Sequence, residues 1–287
     1  MVLRPAGYSC RSVYLKMKIF FPIPRITESF FDRAIEKIGG RRLHENEKRE
    51  GFQNADYLLP GAILELKIIE EEGLEKESRQ NKIKRLLTDR YILPKEVDID
   101  IKRIPDEIKA EFRQILGGPI KTAVKKAAKQ IKETKTHLKR KLDVGVLIAV
   151  NNGYGSLPHD EFENLVLSYA RKDTSQLDFI ICSTVDHHQG DFDTYVFLTS
   201  HCYPIQEGNQ YPKSDDLIHA INELFGESMT YMMRNQMCPK LWDSSLPPVS
   251  DILFDGDDVR FIRKAPEVPD SRFTKLNTER GGAPDRR

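Results

Sequence analysis

Long apolar runs are missing from this 287-residue chain. None approaches the ~20 residues that a membrane span requires, so no membrane contact and a cytoplasmic location are expected. The N-terminal stretch also lacks the apolar core of a secretory signal, because Pro22 and Pro24 cut short the run at 18–23. Cysteine is scarce. The four thiols, at 10, 182, 202 and 238, have no metal-like spacing, which points to reduced thiols rather than a disulfide or zinc framework. A glycine-rich phosphate loop and internal repeats are both absent. Charge of one sign is lacking too: the net charge is +1, so the overall balance does not announce a nucleic-acid partner.

What is present is a chain 39% hydrophobic and 31% charged, long enough to bury a sizeable core. Its most informative stretch runs from Asn54 to Lys67. Asp56 precedes a Pro60-Gly61 turn signal, and the segment 62–69 is apolar except at Glu65 and Lys67. Charges in a run that otherwise reads as buried are costly unless they pair or hold a metal. In a strand, Glu65 and Lys67 share one face, while Leu64, Leu66 and Ile68 face the other. Asp56 lies across the turn and brings a third charge toward the same place.

The Glu-x-Lys tripeptide alone carries little weight. An acid stands two residues before a lysine at Glu65, Asp100, Glu107 and Glu133. Glu107 and Glu133 lie in helix-like surroundings, and 97–102 alternates like a half-exposed strand with its charges on the wet face. Only Glu65 and Lys67 interrupt a segment apolar on both faces, the pattern of a central strand. The alternative reading is an edge hairpin whose Glu65 and Lys67 pair at the surface.

Asp56 followed by Glu65-Leu66-Lys67 on a neighbouring strand resembles the catalytic core of the PD-(D/E)XK nuclease superfamily. That resemblance implies a restriction-endonuclease-like α/β fold, with a central mixed β-sheet flanked by helices. It implies Asp56, Glu65 and Lys67 as catalytic residues, with Mg²⁺ (Mn²⁺ as substitute) held by Asp56, Glu65 and the Leu66 carbonyl. Some members add a metal-binding Glu from the preceding helix, a position that Glu36 matches; a solvated helix Glu is the other reading. The implied partner is nucleic acid, DNA before RNA, and a homodimer is an admissible assembly. A non-catalytic nucleic-acid-binding or protein-interaction module on the same fold is the alternative.

Elsewhere the pattern predicts a helix over 27–38, with Thr27 as N-cap and Gly39-Gly40 as its stop. Residues 70–118 read as a helical insertion containing a strand at 98–102 and a helix from Pro105 to Leu116. A long helix over about 119–142 follows, with a buried stripe at Ile120, Val124, Ala127, Ile131, Leu138 and Leu142. Its surface holds Lys121, Lys125, Lys126, Lys129 and Lys132, either a phosphate-backbone contact or a solvated lysine face. Gln130, in that helix, matches the superfamily's Gln that orients water or phosphate.

Strands are expected at 144–150, 177–185 and 194–200, and Pro158 opens a helix between the first two. Asp186, His187, His188, Asp191 and Asp193 read as a polar hairpin tip rather than a metal site, because adjacent histidines in a strand face opposite ways. The core thus spans 1–200. A C-terminal extension over 201–264 contains a helix from Asp215 to Met237 and a hairpin around Asp255-Gly256-Asp257. Residues 265–287 read as a disordered tail.

Overall fold

The computed structural model describes residues 17–20, 26–44, 47, 51, 54–70, 73–74, 76–91, 95–152, 156–189, 194–206, 211, 213–235, 240–243, 251–256 and 259–263. The expected tail at 265–287, and Asp191 and Asp193 of the histidine-containing turn, lie outside them. In chain order the elements are β1 (Met17–Phe20), α1 (Glu28–Lys37), β2 (Arg41–Arg42), β3 (Tyr57–Leu59) and β4 (Ala62–Ile69). Then come α2 (Glu77–Thr88), β5 (Glu96–Asp98), α3 (Asp106–Leu116), α4 (Gly118–His137), β6 (Val144–Asn151) and α5 (His159–Asp173). The last are β7 (Phe179–Gln189), β8 (Thr194–Pro204), α6 (Ser214–Asn235), β9 (Lys240–Asp243), β10 (Asp251–Gly256) and β11 (Val259–Arg263).

A mixed six-stranded sheet in the order β2-β3-β4-β6-β7-β8 forms the centre. β4, β6 and β7 run parallel, and β2, β3 and β8 are antiparallel to their neighbours. Parallel neighbours need crossover helices, supplied here by α4 between β4 and β6 and by α5 between β6 and β7. Both pack on one face, over Ile63, Leu147 and Ile180. The opposite face, with Leu64, Leu66, Ile148 and Ile181, is covered by α1 and α6. The coarse expectation of an α/β core with a helix-flanked mixed sheet therefore holds.

Local chemistry explains the elements around β4. Helix α1 ends where Gly39 takes a left-handed φ of 80°, and the Gly40 and Gly39 amides donate to the Ile35 and Glu36 carbonyls at 2.9 and 3.0 Å. Between β3 and β4, proline fixes φ at Pro60 and Gly61 accepts a φ of 76°, the pairing a type II turn requires. That turn sets the register Tyr57↔Leu64, Leu58↔Ile63 and Leu59↔Ala62.

Four expectations are corrected. Helix α4 stops at His137 rather than near 142, because Lys139 turns left-handed (φ 55°) and the Arg140 amide caps the Lys135 carbonyl at 2.9 Å. Leu142, expected in the buried stripe, is consequently 99% exposed. Residues 100–102 form a turn instead of a strand, since the Asp100 carboxylate accepts from the Lys102 amide at 2.9 Å. Asp186 to Gln189 are ladder residues of β7 paired with 194–197 of β8, so the polar tip is shorter than the pattern suggests.

The insertion is not a free appendage. Ile83, Leu87, Ile99, Ile101, Ile108 and Phe112 extend the core on the α4 side. Its strand β5 pairs in parallel with β11 of the C-terminal hairpin. β1 pairs with β9 in a separate two-stranded sheet.

Candidate functional site

The side-chain alternation of β4 points Glu65 and Lys67 toward α4, into the apolar layer between sheet and helices. Glu65 is wholly buried. One of its carboxylate oxygens accepts from Lys67 Nζ; the other, Oε2, has no hydrogen-bond partner among the described residues. Asp56 sits at the entry to β3, half-buried, and its Oδ2 accepts from the Leu66 amide at 3.0 Å. The Asp56 amide in turn donates to the Leu64 carbonyl at 3.2 Å, which fixes the carboxylate against β4. Burial first, and the Asp56 carboxylate second, push the Glu65 carboxyl up to about 8, while Lys67 pulls it the other way. Three of the sequence-expected residues are thus brought together.

Gln130 joins them from α4. It is 8% exposed, donates its amide to the Asn54 carbonyl at 2.8 Å, and leaves its own Oε1 without a partner. One turn on, Thr134 Oγ1 accepts from the Ala55 amide at 2.8 Å. The two bonds anchor the chain just before Asp56. Leu66 enters through its main chain, its side chain lying in the layer of α1 and α6. Glu36 is exposed on α1, whose buried side packs on that opposite layer, so the structure does not bring it to Glu65.

Of the six lysines of α4, Lys121, Lys125, Lys126, Lys129 and Lys132 are exposed but not equivalent. Lys121 and Lys125 both reach Asp173 of α5, at 3.8 and 3.6 Å, and Lys129 lies 3.8 Å from Glu133. Lys126 and Lys132 have no ion pair among the described residues. At 100° per residue, Lys126 stands one turn before Gln130 on the same edge of the helix.

A second polar group lies on the same face of the sheet, and residue spacing hardly announces it. Glu163 of α5 is 8% exposed, and its Oε1 lies 2.8 Å from both His159 Nε2 and His201 Nδ1. Tyr203 donates its hydroxyl to Glu163 Oε2 at 2.9 Å, and His159 Nδ1 meets Thr184 Oγ1 at 2.7 Å. Burial and that carboxylate push the Tyr203 phenol up to about 12. Cys182, beneath the group, is driven well up by burial and then by Glu163, which leaves an inert thiol. The only trace in the sequence is His159 and Glu163 at i and i+4 on a helix; His201 comes from β8, far along the chain.

The row Lys67↔Ala149, Ala149↔Cys182, Cys182↔His201 connects the two groups across four strands. Three strand spacings put them about 14 Å apart at Cα. Among the described residues, no helix is long and apolar enough to cross a membrane. Compared with models of known families, with curated proteins and with solved structures, the chain matches none.

Proposed function

We propose that the chain is a metal-dependent phosphodiesterase that hydrolyses nucleic acid, DNA before RNA, at Asp56, Glu65 and Lys67. The observation that carries this reading is Glu65: a carboxylate with no solvent exposure, beside a second carboxylate and an ammonium, with one oxygen left bare. A buried acceptor without a donor is expensive, and a cation removes the expense. Gln130 Oε1 offers a second bare oxygen close to the Asp56 strand. The residues present fit a hard divalent ion, because every donor is oxygen. The order α1, β2-β3-β4, α4, β6 also agrees with the PD-(D/E)XK resemblance.

Asp56, Glu65 and the Leu66 carbonyl would hold Mg²⁺, or Mn²⁺ in its place. When bound, the ion supplies polarisation of the scissile phosphate and a lowered pKa for water. Asp56, tied to the Leu66 amide, keeps its carboxylate oriented before substrate arrives. Lys67, held on Glu65, places a positive charge where negative charge develops on phosphorus and orients the attacking water. Gln130 fixes the Asn54 main chain, and Lys126 on the same helix edge meets the phosphate backbone. Lys121, Lys125, Lys129 and Lys132 extend that contact, weakened where Asp173 and Glu133 already engage them. A cytoplasmic location belongs to the same reading.

One observation favours a second reading, a non-catalytic nucleic-acid-binding module. Glu65 is closed off under α4, so its pair with Lys67 can serve packing alone. Incubation with plasmid, linear and single-stranded DNA and with RNA, in Mg²⁺ or in EDTA, separates the two. Mg²⁺-dependent cleavage that Lys67→Ala and Asp56→Asn lower by roughly 10²-fold or more supports the enzyme. Salt-sensitive binding without cleavage supports the module, and undiminished cleavage in Lys67→Ala rejects the assignment.

A further inference from the structure

We propose that His159, Glu163 and His201 form a transition-metal site of the zinc class, separate from the carboxylate–lysine group on β4. His159 Nε2 and His201 Nδ1 both approach Glu163 Oε1 at 2.8 Å and stand 3.3 Å from each other. Two nitrogens and one oxygen therefore converge on a single point. With Zn–N and Zn–O bonds of about 2.0–2.2 Å, tetrahedral ligands lie roughly 3.3–3.4 Å apart. The nitrogen–nitrogen edge already has that length. Each nitrogen–oxygen edge needs to open by about 0.5 Å, within reach of small side-chain rotations.

The surroundings of these three groups are those of ligands rather than of a chance ion pair. Metal-bound imidazoles use their second nitrogen to donate to a neighbouring acceptor, which fixes the tautomer. Thr184 Oγ1, 2.7 Å from His159 Nδ1, is such an acceptor, so Nε2 can turn its lone pair to an ion once the proton it shares with Glu163 Oε1 is displaced. Tyr203 holds the far oxygen of Glu163 at 2.9 Å, so the carboxylate presents Oε1 alone. Glu163 is almost fully buried, and a charge there requires compensation, which a divalent ion on Oε1 supplies. The side chain of His201 is half-exposed, which provides an entry path and leaves a fourth position facing solvent.

Two imidazoles and one carboxylate suit zinc or its neighbours in the transition series and not magnesium or calcium, which favour all-oxygen sites. The spacing of His159 and Glu163 at i and i+4 puts both on one face of α5, opposite β8. Cys182, between the two groups in the sheet row, lies beneath the site and is not one of its ligands. An open position on the ion is the arrangement of zinc sites that act on a bound water or a substrate.

Zn²⁺ titration of the metal-stripped full chain, in competition with a chromophoric chelator near neutral pH, tests the site. One equivalent is expected to bind, and Co²⁺ in its place should give the visible absorption of a four-coordinate ion. His201→Ala, at a half-exposed position that leaves the core intact, and Glu163→Gln should each weaken binding by at least roughly tenfold. Thr184→Val and Tyr203→Phe keep all three ligands and should still cost roughly 10–100-fold. Glu65→Gln should leave zinc uptake unchanged, since it alters only the β4 group. Equal zinc affinity in the wild type and His201→Ala, or no stoichiometric uptake by the wild type, would overturn the proposal.

Discussion

Glu65 and Glu163 are two buried glutamates on one face of one sheet, and they are satisfied in opposite ways. Glu163 has both oxygens occupied, one by His159 and His201 and the other by Tyr203. Glu65 has Lys67 on one oxygen, and on the other no donor among the described residues, only the neighbouring Asp56 carboxylate, an acceptor like itself. The first network is complete without an ion, and a metal enters it only by displacing protons from the imidazoles. The second lacks a donor on one oxygen, a deficit that a proton shared with Asp56 or a hard cation corrects. Burial alone therefore does not mark a functional carboxylate; the inventory of its donors does.

The largest expected effect is on pH dependence. Glu65 keeps its proton in the folded chain up to about 8, whereas the unfolded chain releases it near 4.5. Between those values the folded state binds more protons, so stability falls as pH rises. That contribution is complete below about 4.5 and gone above about 8, a loss of several kcal/mol. Urea unfolding across this window should show a steeper decline in the wild type than in Glu65→Gln. An identical slope in both chains would remove the distinction between the two glutamates.

Deleting the satisfied carboxylate should cost more at fixed pH than neutralising the bare one. Glu163→Ala strands two imidazoles and a phenol, for about 2–4 kcal/mol; Glu65→Gln at pH 8 should cost less than about 1 kcal/mol or stabilise. Chemical denaturation of the two variants checks the difference. Mg²⁺ at about 100 times its Kd should add roughly 2.7 kcal/mol to the wild type and nothing to Glu65→Gln, read as a shift in Tm. Tyr203→Phe converts Glu163 into a likeness of Glu65, with one bare oxygen, and should cost about 1–3 kcal/mol in urea. The smallest effect belongs to α4. Lys126→Ala should lower the salt slope of nucleic-acid binding by about 1, and Lys121→Ala by less, because Asp173 already engages it.

Where the sequence spoke clearly, a physical rule left few alternatives. Segments apolar on both faces read as central strands, and 62–69 and 144–150 take that place in β4 and β6, against the edge hairpin that the Glu65–Lys67 pair also allowed. Asp56, Glu65 and Lys67 were legible as neighbours from the turn and the strand pattern, and Gln130 only through the family resemblance; the bare oxygens of Glu65 and Gln130 were not legible at all. The end of α4 was hidden because Lys139, not a glycine, takes the left-handed turn. Residues 97–102 alternate like a strand, yet the Lys102 amide donating to the Asp100 carboxylate turns the chain after β5. The histidine group was least legible, since its members meet only when α5 packs across β7 and β8. No local period carries such information.

The pairing of β5 with β11 has a consequence for how the chain reaches its native state. Strand β5 belongs to a segment made early, but its partner is among the last parts of the described chain to leave the ribosome. Until then an open strand edge must survive in solution, an invitation to join another chain. Glu96 and Asp98, alternating with Val97, place like charges along that edge, and in the finished fold Arg260 stands 3.7 Å from Glu96. Glu96, a charge that deters premature association, thus also meets the late-arriving strand, and synthesis order becomes part of the protection against aggregation.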